Sequence, residues 1–483
     1  MIILGTNSIK DTGYNVANSC RFNSADSSYL DRTPGSVTST RKNTFSFWVK
    51  RGSLGAYQYI ISTRNGTSTN RDGIAFNDSD QLDIRYNAGS SSPIRLTTTR
   101  VFRDPTAFMH IVVAVDTEQG TASNRIKVYI NGTQETTFAT ANYTAQDYDF
   151  ALNAKTDQTT DIGNDARSDG AYFDGHLAEF VAIDGTQNAV TDFGEFDSDT
   201  PSVFKPIDVS GLTFGNAGFY LDFENSAELG TDVSGNSNTF SENNLDATDQ
   251  ATDTCTNNFC TLNPLAQSPS DSTGAYSQGN CVYTVSDYNP SARGTFGMSA
   301  GKWYWEIKQS AVQLRAGICT SGFNNYLDTD NVNAFFPNEG GAVHVMNTNT
   351  GTSWQRTNNS TSRSVDTFTS AIASTSGSII NFAFDADSGK MWWGVDGVYL
   401  NSGNPATGSN ETLTAVNPTT DPYHCFTSIN DTSSISASFN FGGCPSFSIS
   451  SGNADGNGYG NFEYAPPSGY LSLCTKNLGS DGG

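Results

Sequence analysis

Three acidic residues at alternate positions, Glu195-Phe-Asp197-Ser-Asp199, are the nearest this sequence comes to the carboxylate pair of a glycan hydrolase. Retaining glycosidases hold two carboxyls about 5 Å apart, one to attack the sugar and one to trade a proton. Alternate positions on a strand share a face, so the spacing is right. The surroundings are not: the stretch is polar, ends in Thr-Pro and lacks the aliphatic alternation of a strand lining a cleft. Nucleophilic chemistry is no better served. His110, His176, His344 and His424 lie in strand-like runs or near turns, no serine stands in a G-x-S-x-G elbow, and neither a P-loop nor a G-x-G-x-x-G fingerprint occurs. The expectation is a protein without catalytic activity.

Metal chemistry has one candidate. In DIGNDARSDGAYFDGH, Asp161, Asp165, Asp169 and Asp174 are spaced closely enough to offer hard oxygens to calcium. The plainer reading, an acidic solvated turn, is the favoured one. Eight cysteines, one in the first half and seven from Cys255 onward, include no CxxC pair, which excludes the usual zinc and thioredoxin-like geometries and predicts mostly reduced thiols.

Ligand recognition has candidates in two Asn- and Gly-rich stretches, Asn324 to Gly341 and Asn347 to Ser362, read as loops. Tyr326, Phe335, Phe336, Trp354 and Arg356 there could stack on sugar rings or peptide, because aromatic side chains on such loops bury large area at small entropic cost. The alternative, left open, is that they cover a sandwich end or meet a neighbouring subunit. Trp392 joins them. In KMWWGV, alternation sets Met391, Trp393 and Val395 on the core side and Trp392 on the other, to be covered by the chain itself or held for a partner.

The elements that would position these residues are strands. Helical periodicity is almost absent, while short alternating runs such as FSFWVK, MHIVVAV, RIKVYING and GKWYWEIKQ recur between Gly, Asn, Asp and Ser. That is the pattern of antiparallel sandwiches. With 483 residues the chain has room for two or three domains. Neither coiled-coil heptads nor a short tandem repeat occurs, which speaks against a fibrous shaft. The boundaries read as 1–205, a connecting segment with a few strands over 206–265, and 266–483. No apolar run approaches membrane-spanning length, and the N-terminal residues lack the features of a secretory signal. A net charge of −23, with 26 basic and 49 acidic residues, opposes binding to nucleic acid or to an anionic membrane and reads as a solubility device in a crowded assembly or saline surroundings.

These residues carry three resemblances. CRFNSADSSYLDRTPGSVTSTRKNTFSFWVKRG, MHIVVAVDTEQGTASNRIKVYINGTQE and YFDGHLAEFVAIDG resemble the laminin-G-like, concanavalin-A-type jelly roll, a family that often holds calcium at a loop edge. GKWYWEIK, SIINFAFDADSGKMWWGVDGVYLNSGNPATG and SISASFNFG resemble a SPRY domain. The two modules in this order, with their joining segment and the closing NFEYAPPSGYLSLCTKNL, are similar to virion structural proteins of tailed bacteriophages. The fold implied is two jelly-roll sandwiches in tandem. The resemblance also implies a virion protein assembled in the bacterial cytoplasm, a homo-oligomer on the particle, whose partners are other virion proteins and possible host-surface glycan or protein. Two functions stay open: adhesion to the host through sandwich-end loops, as a tail fibre or tail-associated protein, and an accessory role as capsid decoration, fibre or collar.

Overall fold

The computed structural model describes residues 13–64, 71–86, 94–168, 170–266, 274–285, 291–311, 314–321, 374–413, 421–429 and 434–481, with five short strands between 325 and 367 described by backbone pairing alone. The fold is all-β, its strand pairs antiparallel except for Leu471–Ser472, which runs parallel to Lys302–Gln309, and the seven-residue Thr475–Asp481 is the one α-helix among the described residues. The chain divides into two compact units, the boundary falling between Thr256 and Asn257.

The strands of the first unit are β1 (Ser19–Phe22), β2 (Tyr29–Arg32), β3 (Lys42–Arg51), β4 (Gln58–Arg64), β5 (Arg71–Phe76), β6 (Gln81–Tyr86), β7 (Ile94–Val101), β8 (Met109–Asp116) and β9 (Ile126–Ile130). They continue with β10 (Thr133–Glu135), β11 (Phe138–Asn142), β12 (Thr160–Ile162), β13 (Gly175–Asp184), β14 (Gly194–Phe196), β15 (Phe204–Pro206), β16 (Phe219–Leu221), β17 (Ser241–Asn243) and β18 (Gln250–Ala251). The first sheet runs β10-β9-β8-β3-β13-β1-β18, with β16 also on β13, and the second runs β11-β7-β6-β5-β4-β12-β2-β17. Alternate residues of both sheets, among them Phe45, Phe47, Ile111, Val113, Ile74, Phe76, Ile84 and Leu96, interdigitate as one buried core. In β9 the alternation reads Ile126, Val128 and Ile130 inward, and Asn131 and Gly132 then take positive φ to turn into β10.

The outer face of the first sheet is also apolar. Trp48, Val112, Ala114, Ala178, Val181 and Ile183 pack there under Val190, Phe193, Phe204, Val209 and Phe214, so β3, β8 and β13 are buried on both sides. The segment 185–215 is therefore a lid over one sheet, while the outer face of the second sheet is polar, buried along β4 and β5 and partly open at Arg64 and along β6 and β7.

The boundaries differ from the sequence expectation. β16 pairs with β13, β17 with β2 and β18 with β1, so residues 206–256 are structural members of the first sandwich rather than a connector. Each of these strands has at most three residues, too few for alternation to reveal.

The second unit has a sheet in the order Ala275–Ser277, Val282–Val285, Ile435–Asn440, Lys302–Gln309, Ile379–Asp385, Lys390–Val395 and Val398–Tyr399. A six-stranded sheet includes Tyr423–Ile429, Leu314–Thr320 and Val343–Asn347. Trp303, Trp305, Phe382, Phe384, Trp393, Ile318 and Phe439 belong to its core.

Candidate functional site

The outer face of the second sheet concentrates the polar and aromatic groups of the first unit. Register fixes its membership. Arg64 lies opposite Arg71, Gly73 opposite Arg85, and Arg85 opposite Arg95, while Arg71 and Gly73 are two apart on one strand. All four arginines therefore share a face, across β4 to β7. Like charges directly opposite on neighbouring strands repel, so this arrangement needs counter-charges, and it has two.

Asp83 is the first. Its wholly buried carboxylate accepts from Arg85 Nε at 2.5 Å, Arg95 Nε at 2.8 Å, Tyr57 Oη at 2.5 Å and Thr97 Oγ1 at 2.7 Å. Burial alone would raise its pKa; the bonds from Arg95, Tyr57 and Thr97 and the charge of Arg85 outweigh that and hold it below the ordinary value. Asp165 is the second, 3.4 Å from both Arg71 and Arg167. Tyrosines brace the guanidinium groups: Arg85 lies over the Tyr57 ring and Arg71 over the Tyr59 ring, at 4.8 and 5.0 Å from their centroids. Tyr59 also accepts from Arg71 Nε at 2.5 Å, and its own pKa is raised by burial against the lowering effect of that arginine.

Gly73 makes room for this. A Cβ there would stand 2.8 Å from Tyr59 Cε1, so the ring rests on bare backbone. The loop after β12 is tied beside the face by Ser62, whose hydroxyl donates to Asn164 O and accepts from Ala166 N, both at 2.8 Å. Further along the sheet the charge reverses: Asp161 lies opposite Ser62 on one side and Asp31 on the other. The result is a face of guanidinium groups at one end and carboxylates at the other, with Tyr59 buried beneath Arg71 and Tyr57, Arg85 and Arg95 partly exposed, equipped to hold a polar ligand by hydrogen bonds.

The candidates named from sequence fare differently. Trp392 is fully buried: its indole N–H donates to Ser409 O at 2.9 Å, and Tyr304, Phe462 and Tyr470 enclose it. Expectation of a ligand-binding role for Trp392 is corrected here, because the segment around Gly403 to Ser409 and Tyr470 cover the side chain; no surface remains for a partner. Trp393 lies opposite Phe382 in the core, as the alternation predicts, and Gly389 turns with φ of 65° between the two strands. Tyr326, Phe335 and Phe336 lie on paired short strands, Tyr326 opposite Phe336, and Trp354 and Arg356 lie on the strand Ser353–Thr357. These stretches were read as loops; the structure puts the five residues in ladders, and their side chains lie outside the described part.

The acidic turn does not gather. Asp161 Oδ2 accepts from Asn164 at 3.0 Å, Asp165 is ion-paired to arginines, and Asp174 accepts from Ser24 Oγ at 3.2 Å with its pKa pushed up by burial to about 6. Asp169 lies outside the described residues. Among the described residues no three metal-ligating side chains come together, so the calcium set named from the sequence is not assembled by the three of its members that can be seen. Glu195 sits exposed on the β14–β15 hairpin, where Lys205 bridges it and Asp197 at 3.4 Å each. His110, buried beside Ser46, has its pKa pushed down to about 3 by burial, and burial likewise pushes His424 down to about 4, far from what a general base needs.

The sheet-face residues were missed at the level of sequence. The available signal was the outward set of QLDIRY and IRLTTTR, which is Asp83, Arg85 and Arg95 where a merely solvated strand would carry mixed small polar residues.

The first unit is a two-sheet β-sandwich of the jelly-roll type. Residues 23–189 match the family model of the laminin-G type described as the concanavalin A-like lectin/glucanases superfamily. The first unit thus contains a concanavalin A-like domain. Among solved structures the chain is similar to the native heptameric SAP-like pentraxin from Limulus polyphemus, at 16% identity over 36% of this chain and 80% of that one, TM-score 0.26. It is similar to mouse laminin alpha1 chain domains LG4-5 at 8% identity over 95% and 97%, TM-score 0.29, and to the SPRY domain of human HERC1 at 9% over 39% and 99%, TM-score 0.26. No curated protein matches the chain. No helix among the described residues is long and apolar enough to cross a membrane.

Proposed function

We propose that this chain is a non-enzymatic adhesion protein carried on the particle of a tailed bacteriophage, and that it binds host-surface glycan through the outer face of the second sheet of its first unit. The observation that carries the binding reading is the braced constellation of Tyr57, Asp83, Arg85 and Arg95 on the outer face of the second sheet, which the segment 185–215 does not cover. It lies within the residues that match a lectin-type family model. The particle-borne part rests on the sequence alone, through the order of the two modules and their joining and closing segments.

The absence of activity is supported by the fate of the acidic and histidine candidates: Glu195 and Asp197 share one lysine on an exposed hairpin, and the described imidazoles with shifted pKa values are buried and neutral. The test is binding of the purified full chain to host cells and to their isolated envelope polysaccharide. Saturable binding that Tyr57→Ala weakens at least tenfold supports adhesion. Binding to other virion components with none to host material would replace adhesion with an accessory structural role, and release of reducing sugar abolished by Glu195→Gln would replace both with hydrolysis.

A further inference from the structure

We infer that the glycan this face takes is anionic, bearing carboxylate or sulfate groups; the inference rests on the glycan-binding reading above and gives it a ligand class. The chain has 26 basic residues against 49 acidic ones, yet four arginines occupy neighbouring register positions on one face, in two directly opposed like-charge pairs, Arg64 with Arg71 and Arg85 with Arg95. A fifth, Arg167, joins them through Asp165. A sheet gains nothing in stability from opposed arginines. Departures of this kind from the local rules are where function is expected to show.

The two counter-charges orient the cations without using them up. Asp83 engages Nε of Arg85 and Nε with one terminal nitrogen of Arg95, and Asp165 lies against Nε of Arg71 and a terminal nitrogen of Arg167. Their other guanidinium N–H groups have no partner among the described residues. The side chains of Arg95 and Arg167 are 34% and 30% exposed, and Arg64 is exposed as well. A guanidinium lying over a tyrosine ring with one edge paired inward presents its other edge as a planar fork, the geometry that matches carboxylate or sulfate oxygens. Tyr59 and Gly73 lie buried beneath Arg71, so the part of the face open to a sugar is formed by Tyr57, Arg64, Arg85 and Arg95. In a chain of net charge −23 such a patch does not arise from general basicity.

Calorimetric titration of the full chain with polygalacturonate, dextran sulfate, neutral dextran and a duplex DNA oligonucleotide tests this. The expected result is binding to polygalacturonate or dextran sulfate at least tenfold tighter than to dextran, weakening as salt is raised. Arg95→Gln should lower it at least tenfold with the melting temperature little changed, and Arg95→Lys should restore only part, since a point charge lacks the fork. Which of the two anionic polymers binds more tightly tells carboxylate from sulfate. Equal affinity for neutral and anionic polymers, indifference to Arg95→Gln, no binding to either anionic polymer, or tighter binding to DNA would each overturn the inference. The reading beneath it fails separately, if host cells and their envelope polysaccharide are not bound at all.

Discussion

Arg85 and Arg95 stand directly opposite each other on neighbouring antiparallel strands, and both guanidinium groups close on the single carboxylate of Asp83, at 2.5 and 2.8 Å. One buried anion thus sets the position of two cations that would otherwise repel, and Tyr57 adds a third donor to the same carboxylate. The face is preorganised before any ligand arrives, so binding costs little ordering of these side chains.

Removing that anion should be costly. Asp83→Asn leaves the two arginines opposed with no counter-charge, a loss of about 3 kcal/mol at the lower end for breaking a buried pair, read as a lower midpoint in chemical denaturation. Because the folded pKa of Asp83 lies below its ordinary value, its contribution is full above the unfolded pKa of about 4 and fades as acid protonates it. The variant should therefore lose less stability than the parent below that pH; an unchanged acid limb would contradict the network.

Glu179 should produce the opposite slope. It sits at a bulge of β13 with φ of 49°, buried, accepting from Tyr220 Oη at 2.7 Å and Tyr14 Oη at 3.2 Å, and burial raises its pKa from 4.5 to about 7. The folded state binds the proton more tightly, so this contribution is full at acid pH and is lost as pH rises through about 7. Between pH 5 and 8 the parent should lose on the order of 3 kcal/mol that Glu179→Gln does not lose. Parallel melting curves of the two proteins across that range would show the shift to be absent.

Gly73→Ala places a Cβ 2.8 Å from the Tyr59 ring and 3.0 Å from Ile61 O. The ring must rotate off, breaking its bond from Arg71. Glycan affinity should fall several-fold for a modest drop in melting temperature; unaltered affinity would place the ligand elsewhere.

Trp392→Ala and Trp393→Ala should each destabilise the second unit by about 3–5 kcal/mol, since both side chains are fully buried. Neither should change glycan binding at constant folded fraction. Loss of binding by Trp392→Ala in folded protein would restore the platform role for that residue.

Calcium at millimolar concentration should leave the melting temperature where it was, because Asp165 is already neutralised by arginines and Asp174 is held by Ser24. A rise would reveal a site completed by Asp169.

The strands themselves were legible from residues. Period-two alternation in RIKVYING and KMWWGV gave the inward set and the register that the structure shows, and placed Trp393 in the core. The membership of residues 206–256 was not legible, since β16, β17 and β18 are very short and pair with strands far back in the chain. Nor was the site. Alternation says which residues of a strand face outward; whether that outward face is roofed depends on long-range packing. The lid of Phe193, Phe204 and Phe214 closed the first sheet, and Ser409 with Tyr470 closed over Trp392, while Arg85 and Arg95 beside the buried Asp83 stayed partly exposed.

The most direct measurement is a structure of the full chain with an oligosaccharide cut from the host envelope polysaccharide. The account predicts sugar density against Tyr57 with an acidic group within hydrogen-bonding distance of Arg85 or Arg95. Sugar bound instead at the loops of the sandwich ends or on the second unit, with this face empty, would contradict it.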